Sequence, residues 1–443
     1  MIALSDKDRC TACGACVQIC PVRAVSLQED KEGFEYPFIN DEICINCAKC
    51  KIVCPIKKRA AIVTLFYNNY NFGAQLQNYA VQVYLRNHFI ACETLQDFSY
   101  PRPEFFFLLR DYFIKAVSVL YHKFPLPPKD FEMPKPLISS PCLSDFQREM
   151  INVGPVVNIR HISKKINKRY DCFCVGSDVV WAGCSPFYFL KFADRDKRMC
   201  MIPSFGKTEV RNQFIQQFSI RSVMVFLKSF LRGGIVNIYK AGFEGFDHLC
   251  VREKSGADII KKISGQDCEI LLDPTLLIDE DEWFRIIKKP LKAPKNKYIV
   301  TYLFNKLPPK SAIALKEYAE KKHLEIYDIK SEMLDGYKTR PEEFLYMLKN
   351  AEMIVTDSFH GTCFSIVFNK NFISLGNGRE KKGSGGKISS LLMRMKLDEN
   401  MLEDEFSIED LENSHVDYCD KNKILAAERN KAENFFVKCG LFG

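Results

Sequence analysis

Two cysteine runs near the N-terminus constrain this chain more than any other feature. In each run four cysteines follow the spacing Cys-x2-Cys-x2-Cys-x3-Cys, and a proline comes directly after the fourth. The runs comprise Cys10, Cys13, Cys16 and Cys20, and then Cys44, Cys47, Cys50 and Cys54. Thiolates at these intervals can wrap a cubane iron–sulfur cluster. Zinc or unligated thiols would be the alternative, but two complete runs with trailing prolines favour iron and sulfide.

The segment that carries both runs resembles bacterial two-cluster ferredoxin domains. In such domains the fourth cysteine of each run reaches across to the other cluster. The resemblance implies two [4Fe–4S] clusters, one held by Cys10, Cys13, Cys16 and Cys54, the other by Cys20, Cys44, Cys47 and Cys50. We therefore expect a small α+β ferredoxin-like domain over residues 1–59. The other 11 of the 19 cysteines are scattered and are expected to be free thiols.

Length and composition limit the class of protein. At 443 residues, with 47% hydrophobic and 27% charged residues, the chain is expected to form more than one soluble globular domain. It shows no export leader and no apolar run long enough to cross a bilayer, so reduced thiols predict a cytoplasmic protein. The net charge of +8, without a polybasic tail, suits anionic substrates and argues against nucleic acid.

One basic, aromatic stretch at residues 211–232 leaves membrane contact open. It could lie peripherally on the inner face of a membrane, or it could be a core-packed helix with basic ends. The sequence does not decide between these two interpretations.

After residue 59 apolar runs alternate with polar turns and amphipathic stretches, which indicates an α/β fold with buried parallel strands. We predict a first Rossmann-like domain over residues 60–287, with a proline-rich insertion near residues 101–160. A linker rich in lysine and proline separates it from a second Rossmann-like domain at residues 298–398. Residues 399–443 are expected to form helices that pack back across the domains.

The most informative turn in this part of the chain is Asp357-Ser358-Phe359-His360, with Gly361 and Thr362 directly after it. An apolar run precedes the turn and a small-residue, helix-compatible run follows it. Polar groups between a parallel strand and a helix lie at the carboxyl edge of the sheet, where open α/β sheets bind ligands. The N–H groups of the following helix can bind an anion.

Other strand ends carry polar groups of the same kind. A turn at residues 68–73 includes Asn71 and Gly73, and another strand ends in Gly176, Ser177 and Asp178. Each of these turns could present polar groups to a ligand, although for residues 68–73 taken alone a purely structural turn is the favoured interpretation.

Two basic segments could complete an anion site. Arg252 and Lys254 stand between a strand and a helix and could clamp an anion, or Glu253 could pair with them at the surface. Residues 376–387 form a glycine-rich basic loop that includes Arg379 and Lys387. This loop could be a lid over an anion or a flexible solvated loop.

Five stretches together make residues 61–397 resemble the polysaccharide pyruvyl transferases. They lie at residues 71–77, 175–178 with Trp181, 204–206, 251–256 and 356–361. The resemblance implies a GT-B-like pair of Rossmann-like domains, phosphoenolpyruvate as donor and a sugar or lipid-linked glycan as acceptor. In the family's Gly-Ser-Asp-Gln-Val-Trp-Asn stretch, this chain has Val179 for the glutamine and Ala182 for the asparagine.

The resemblance also implies roles for single residues. His360 would be the central catalytic residue, acting as an imidazolium acid or holding phosphate, and Asp178 or Asp357 would be the base for the sugar hydroxyl. Arg252 would bind the carboxylate or phosphate of the donor. The further substrate-binding candidates are Lys254, Asn71, Gly73, Gly176, Ser177, Ser358, Gly361, Thr362, Arg379 and Lys387.

These observations predict an enzyme that transfers a pyruvyl group from phosphoenolpyruvate to a glycan sugar and forms a pyruvyl ketal during surface-polysaccharide synthesis. Two alternatives stay open. The chain could be an electron-transfer enzyme with a partner for its clusters and a repurposed body, or a redox-responsive glycan-binding protein without catalysis.

Overall fold

A computed structural model describes residues 10–45, 47, 49–54, 58–65, 72–88, 90–97, 141–157, 162–183, 185–206, 235–291, 293–330, 339–376, 380–403 and 405–441. The expected site residues Asn71 and Arg379, and the basic stretch at 211–232, lie outside these ranges. Within them, no helix is long and apolar enough to cross a membrane.

The N-terminal cysteine segment folds around an antiparallel hairpin. Strands β1 (Val25–Glu29) and β2 (Glu35–Ile39) pair from Val25 opposite Ile39 to Glu29 opposite Glu35. Asp30 closes the turn, because its Oδ1 accepts the N–H groups of Glu32 and Phe34 at 2.9 and 3.1 Å. Two short helices that carry cysteines, α1 (Ala15–Gln18) and α2 (Lys49–Val53), pack against each other.

The first large sheet has five parallel strands in the order β5-β4-β3-β6-β7. Its strands are β3 (Arg59–Val63), β4 (Ala91–Asp97), β5 (Val153–Val157), β6 (Cys172–Val175) and β7 (Arg198–Cys200). The central strands β3 and β6 bury apolar residues on both faces, as the continuous apolar runs predict. Strand β5 falls inside the region expected to be an insertion, so the end of that region belongs to the sheet.

The second large sheet is also parallel. In the part of the chain that connects the two large sheets, β8 (Cys250–Val251) pairs in parallel with β9 (Glu269–Ile270). The second sheet has the order β11-β10-β12-β13-β14 and contains β10 (Tyr298–Tyr302), β11 (Glu325–Asp328), β12 (Met353–Thr356), β13 (Asn371–Leu375) and β14 (Met401–Leu402). Two parallel-sheet units behind a small cysteine-rich α+β segment confirm the predicted fold class.

Helices cover the sheets of both units. Those after α2 are α3 (Phe72–Asn87), α4 (Pro141–Met150), α5 (Ile235–Phe243), α6 (Lys254–Ser264), α7 (Pro274–Leu277), α8 (Glu280–Phe284), α9 (Pro309–Lys322), α10 (Pro341–Asn350), α11 (Phe359–Val367), α12 (Lys387–Arg394), α13 (Ile408–Glu412) and α14 (Tyr418–Lys438). Helices were expected over residues 399–443, but Met401 and Leu402 in this region form strand β14, which pairs with β13.

Aromatic side chains join the two units into one apolar core. Phe72 of α3 contacts the rings of Tyr302 and Phe344 at centroid distances of 6.3 and 4.9 Å. Helix α14 returns to the first unit, where Arg429 donates to the carbonyl oxygens of Leu276 and Ile278 at 2.8 and 2.7 Å. The junction between the units is therefore packed, and the carboxyl ends of β3, β6 and β12 meet there.

Candidate active site

The first wall of the site comprises the turn after β6 and the start of helix α3. A Cβ on Gly176 would lie 2.8 Å from Cβ of Thr64, so only glycine lets β3 and β6 end this close together. The hydroxyl of Thr64 donates to the carbonyl of Ser177 at 2.9 Å and accepts from Nε2 of Gln77 at 3.0 Å. These bonds tie the ends of two strands to helix α3.

Asp178 adopts a strained backbone in the same turn. Its φ is +81°, a value that is rare for residues other than glycine. Its Oδ1 accepts the N–H of Val179 at 2.8 Å, and its carbonyl accepts the N–H of Ser204 at 2.9 Å. Backbone strain of this kind gathers at functional sites, which supports the choice of Asp178 as a site residue.

The second wall is the strand β12 and helix α11, as the strand–turn–helix pattern predicts. Ser358 caps the helix, and its Oγ accepts the N–H of Gly361 at 3.3 Å. The hydroxyl of Thr362 has a structural role, because it donates to the carbonyl of Ser358 at 3.1 Å and lies 2.7 Å from Oγ of Ser374. His360 stands in the first turn of the helix and is 4% exposed.

The two walls touch at Gly73 and His360. A Cβ on Gly73 would stand 2.7 Å from Cε1 of His360 and closer still to Nδ1 and Cγ. The imidazole of the second unit therefore lies directly on the backbone of helix α3 in the first unit. Nε2 of His360 is buried without a hydrogen-bond partner in the described structure.

Arg252 enters the same junction from the end of β8. Its guanidinium carbon lies 4.3 Å from the ring centroid of Phe359, and the side chain is only 1% exposed. Nη1 donates to Oδ2 of Asp273 at 2.9 Å, whereas Oδ1 of Asp178 is 4.0 Å from Nη2. The predicted anion-binding arginine is thus a buried link between the units.

Asp273 is a site residue that the sequence reasoning missed. It is fully buried at the N-cap of α7 and accepts hydrogen bonds from Ser177, Arg252 and Thr275. Burial alone would raise the pKa of its carboxyl, but Arg252 and His360 and these donors hold that pKa below its usual value. Its position after an apolar stretch, like that of Asp178, was the signal that could have indicated it.

Glu253 is also buried, which excludes the alternative in which it pairs with Arg252 and Lys254 at the surface. Its Oε1 accepts from Oγ of Ser204, the N–H of Phe205 and the N–H of Gly206 at 2.9, 2.7 and 3.3 Å. Oε2 lies 3.7 Å from Nε of Arg252 without a hydrogen bond. Burial raises the pKa of this carboxyl, although Arg252 opposes the rise.

The glycine-rich basic loop contacts the first unit. The N–H of Ser255 donates to the carbonyl of Gly385 at 3.0 Å, and the N–H of Lys254 donates to Oγ of Ser390 at 2.9 Å. Lys387 is half-buried beside the junction, and burial, with Arg252 next in effect, lowers its pKa. The described part of this loop therefore closes against helix α6.

Burial controls the charge of His360. It lowers the pKa of the imidazole to about 4, while the nearby carboxylate of Asp273 opposes that shift and Arg252 reinforces it. With this pKa the imidazole is neutral at neutral pH, so the imidazolium role requires a ligand that raises the pKa. A bound anion would favour protonation and raise this pKa again.

Two predicted residues lie apart from this group. Both carboxylate oxygens of Asp357 are held by the turn after β10, where they accept the N–H groups of Phe304 and Asn305 at 2.6 and 3.0 Å. Lys254 is 65% exposed and pairs with Asp258 at 3.0 Å on the surface of α6. Their positions favour structural roles for these two side chains.

The cysteine segment has a donor set that fits iron–sulfur ligation. Burial and, more weakly, the nearby thiols of Cys13 and Cys54 raise the pKa of Cys16, so these three residues of the predicted first set are neighbours. Sγ of Cys20 accepts the N–H of Ala24 at 3.1 Å, a contact that stabilises thiolate sulfur. The three thiols of the first set interact electrostatically, but the described side chains bring no group of three ligands to the distances at which they would hold a metal ion.

Known proteins are similar to this chain in sequence and in structure. The sequence profile of polysaccharide pyruvyl transferases matches residues 71–379, and that of the 4Fe-4S dicluster domain matches residues 9–58. Comparison with curated proteins gives no match.

Several solved structures are similar over most of their length. UDP-GlcNAc 2-epimerase from Neisseria meningitidis, bound to UDP-GlcNAc, matches 87% of this chain and 100% of its own, with a TM-score of 0.42 and 9% identity. MnaA of S. aureus with UDP matches 87% and 98%, with a TM-score of 0.40 and 10% identity. Arabidopsis thaliana UGT89C1 with UDP-L-rhamnose matches 85% and 94%, with a TM-score of 0.39 and 12% identity.

The profile match covers well over half of the chain and spans the residues that form both walls of the site. The chain therefore belongs to the polysaccharide pyruvyl transferase family, and a 4Fe-4S dicluster domain precedes its transferase body.

Proposed function

We propose that this protein transfers a pyruvyl group from phosphoenolpyruvate to a glycan sugar and forms a pyruvyl ketal in surface-polysaccharide synthesis. The observation that carries the proposal is the meeting of His360 and Arg252 at the junction of the two units. A buried histidine, a buried arginine and a half-buried lysine there are the groups that an enol phosphate with a carboxylate requires.

The reaction asks for three proton transfers and one leaving group. A proton is added to the methylene carbon of phosphoenolpyruvate, and positive charge develops at C2. A sugar hydroxyl loses its proton as its oxygen attacks C2, and the C2–O bond to phosphate breaks. A second hydroxyl of the same sugar then attacks C2, loses its proton and closes the ketal ring. Of the two hydroxyl protons released, one balances the proton added to the methylene carbon and the other leaves with the phosphate.

His360 is the proposed proton donor. The donor substrate carries up to three negative charges, and such a ligand beside the imidazole stabilises the imidazolium. Because burial lowers the pKa of His360 to about 4, binding of this anion would draw a proton onto the ring. The same event would charge the acid and place it against the methylene group.

Arg252 is proposed to bind the donor's carboxylate or phosphate, with Lys387 as a second cation. Arg252 donates one side-chain hydrogen bond to Asp273, which leaves other guanidinium N–H groups for a ligand. Asp178 is the favoured base for the sugar hydroxyl, because Asp357 is occupied at the turn after β10. Gly73, Gly176 and Ser177 line the first wall, and Ser358 and Gly361 the second.

The N-terminal domain is proposed to hold two [4Fe–4S] clusters on the eight cysteines of its two runs. Such clusters supply one-electron storage and transfer. The domain leads into β3 at Arg59, and the N–H of Ala91 at the start of β4 donates to the carbonyl of Lys58 at 2.9 Å. It therefore adjoins the amino edge of the first sheet, whereas Thr64 and Ser177 lie at the carboxyl edge.

The length of β3 separates the two edges by about 13 Å, since a strand rises about 3.3 Å per residue. Ketal formation as written above contains no electron-transfer step, which favours a sensing or structural role for the clusters over direct participation in the reaction.

Phosphate release tests the proposal. The holoprotein would be incubated anaerobically with phosphoenolpyruvate and a panel of sugar acceptors, beside His360→Ala and a matched Lys254→Ala control on the exposed face of α6. We expect acceptor-dependent release that His360→Ala abolishes and the control retains. Binding of phosphoenolpyruvate without release under both oxidising and reducing conditions would instead indicate a non-catalytic glycan-binding protein.

A further inference from the structure

A carboxylate outside the predicted set organises the donor side of the junction. We infer that Asp273 is a positioning residue that aims Arg252 and fixes the turn at Ser177 for binding of the anionic donor. This inference rests on the proposed function, since it assigns Arg252 to that donor.

Every hydrogen-bond partner of Asp273 is a donor. Oδ2 accepts from Oγ of Ser177 at 2.7 Å and from Nη1 of Arg252 at 2.9 Å. Oδ1 accepts from the N–H and the hydroxyl of Thr275 at 3.0 and 2.8 Å. The carboxylate is 1% exposed, so water does not substitute for any of these partners.

Arg252 depends on this carboxylate for its orientation. In the described structure its side chain donates a single hydrogen bond, and the acceptor is Asp273. Glu253 and Asp178 are 3.7 and 4.0 Å from its nitrogen atoms, which is beyond hydrogen-bond distance. The guanidinium also lies over the ring of Phe359, but this cation–π contact does not fix the directions of its N–H groups.

The two oxygens of Asp273 have separate tasks. Thr275 anchors Oδ1 to the start of α7, and this anchor sets the direction in which Oδ2 faces. Oδ2 then brings Ser177 of the first wall and Arg252 to the same point. A single acceptor oxygen therefore fixes the distance between the turn after β6 and the arginine that contacts helix α11.

An amide cannot replace this carboxylate. Asparagine offers one acceptor oxygen, so its NH2 group must face either Ser177 and Arg252 or the two donors of Thr275. The hydroxyls of Ser177 and Thr275 could turn and accept from the NH2 group, but either arrangement still sets that group against an obligate donor, the Thr275 N–H or Nη1 of Arg252, inside the protein, where unsatisfied polar groups are costly. Asp273→Asn therefore releases Arg252 or distorts the anchor that directs Oδ2.

The test is a double-mutant cycle on donor affinity. Phosphoenolpyruvate binding would be measured anaerobically by calorimetry for the holoprotein and for Asp273→Asn, Arg252→Ala and the double variant. Asp273→Asn should weaken binding about tenfold or more, as expected for the loss of a charge-assisted contact. In the Arg252→Ala background it should cause no further loss, because the positioned group is already absent.

Asp258→Asn is the matched control, because it makes the same change at an exposed carboxylate that pairs with Lys254 on the surface of α6. It should keep wild-type affinity. Asp273→Glu, which retains the charge but displaces it by one methylene, should show the same loss as Asp273→Asn and serves if the amide variant does not fold.

Two results would overturn the inference. Equal losses from Asp273→Asn with and without Arg252 would mean that the carboxylate does not act through the arginine. If Asp273→Asn keeps wild-type affinity while Arg252→Ala binds phosphoenolpyruvate weakly, then Arg252 belongs to the donor site but Asp273 does not position it. If the wild-type protein does not bind phosphoenolpyruvate at all, the proposed function itself fails, and this inference fails with it.

Discussion

Substitution of Gly73 by alanine tests the contact that joins the two walls of the site. Gly73 is the second residue of α3, and its backbone is outside the left-handed region, so alanine can adopt it. The added methyl carbon would stand 2.7 Å from Cε1 of His360. Nδ1 and Cγ would be closer still, whereas non-bonded heavy atoms normally pack at about 3.5–4.0 Å, so the imidazole must move by more than about 1 Å.

Two opposing terms set the change in stability. Overpacking of a buried site costs about 1–3 kcal/mol. Alanine in a helix is favoured over glycine by up to about 1 kcal/mol, and by less in the first turn. We expect Gly73→Ala to lower the free energy of unfolding by about 1–2 kcal/mol. Displacement of a catalytic group by about 1 Å can slow a reaction about a hundredfold, so phosphate release should fall by that order.

The assay combines urea unfolding with phosphate release for the wild type, Gly73→Ala, His360→Ala and the double variant. Removal of the imidazole removes the collision, so Gly73→Ala in the His360→Ala background should be neutral or slightly stabilising. An equal loss of stability in both backgrounds would refute the ring contact as its cause. A wild-type rate of phosphate release in Gly73→Ala would refute the placement of His360 against this backbone.

Three further perturbations test other parts of the account. Because the pKa of His360 is about 4 when folded and 6.5 as a free side chain, the unfolded chain binds the proton first as pH falls. Between neutral pH and about pH 5, the free energy of unfolding should therefore drop by about 2 kcal/mol more in the wild type than in His360→Gln, as measured by urea titrations. The same dependence of that free energy on pH in both proteins would contradict a buried neutral imidazole. Asp357→Asn should lower the free energy of unfolding by about 1–2 kcal/mol, because its NH2 group would face a backbone N–H of the turn after β10, and unchanged urea stability would argue against that role. Anaerobic iron analysis should give about eight iron atoms per wild-type chain and about half as many in Cys54→Ser, whereas a full complement in that variant would remove Cys54 from the ligand set.

Local patterns predicted the parts of this protein that depend on neighbouring residues. The cysteine spacing indicated the iron–sulfur domain, because ligands close in sequence are brought together by a few turns of backbone. The run into Asp357-Ser358-Phe359-His360 predicted a strand followed by a helix, and β12 and α11 stand there. Apolar runs with polar ends likewise predicted the two parallel sheets.

Contacts between distant residues decided the rest. Asp357 and Asp178 look alike in sequence, yet Phe304 and Asn305, some fifty residues away, take both oxygens of Asp357. Arg252 and Lys254 are two residues apart, but one lies in the junction and the other is the first exposed residue of α6. The position of Asp273 after an apolar stretch could indicate a site residue, but its bond from Ser177 and the bond from Ser204 to Glu253 come from other parts of the chain and could not be predicted.

Direct observation of the ketal tests the central claim. The holoprotein would be incubated anaerobically with phosphoenolpyruvate labelled with ¹³C at C2 and with the acceptor that supports phosphate release, and the products would be followed by NMR. The account predicts that the label becomes a ketal carbon bonded to two sugar oxygens, with one phosphate released for each ketal formed. Label recovered only as the ketone carbon of free pyruvate, or retained in phosphoenolpyruvate with every acceptor, would contradict it.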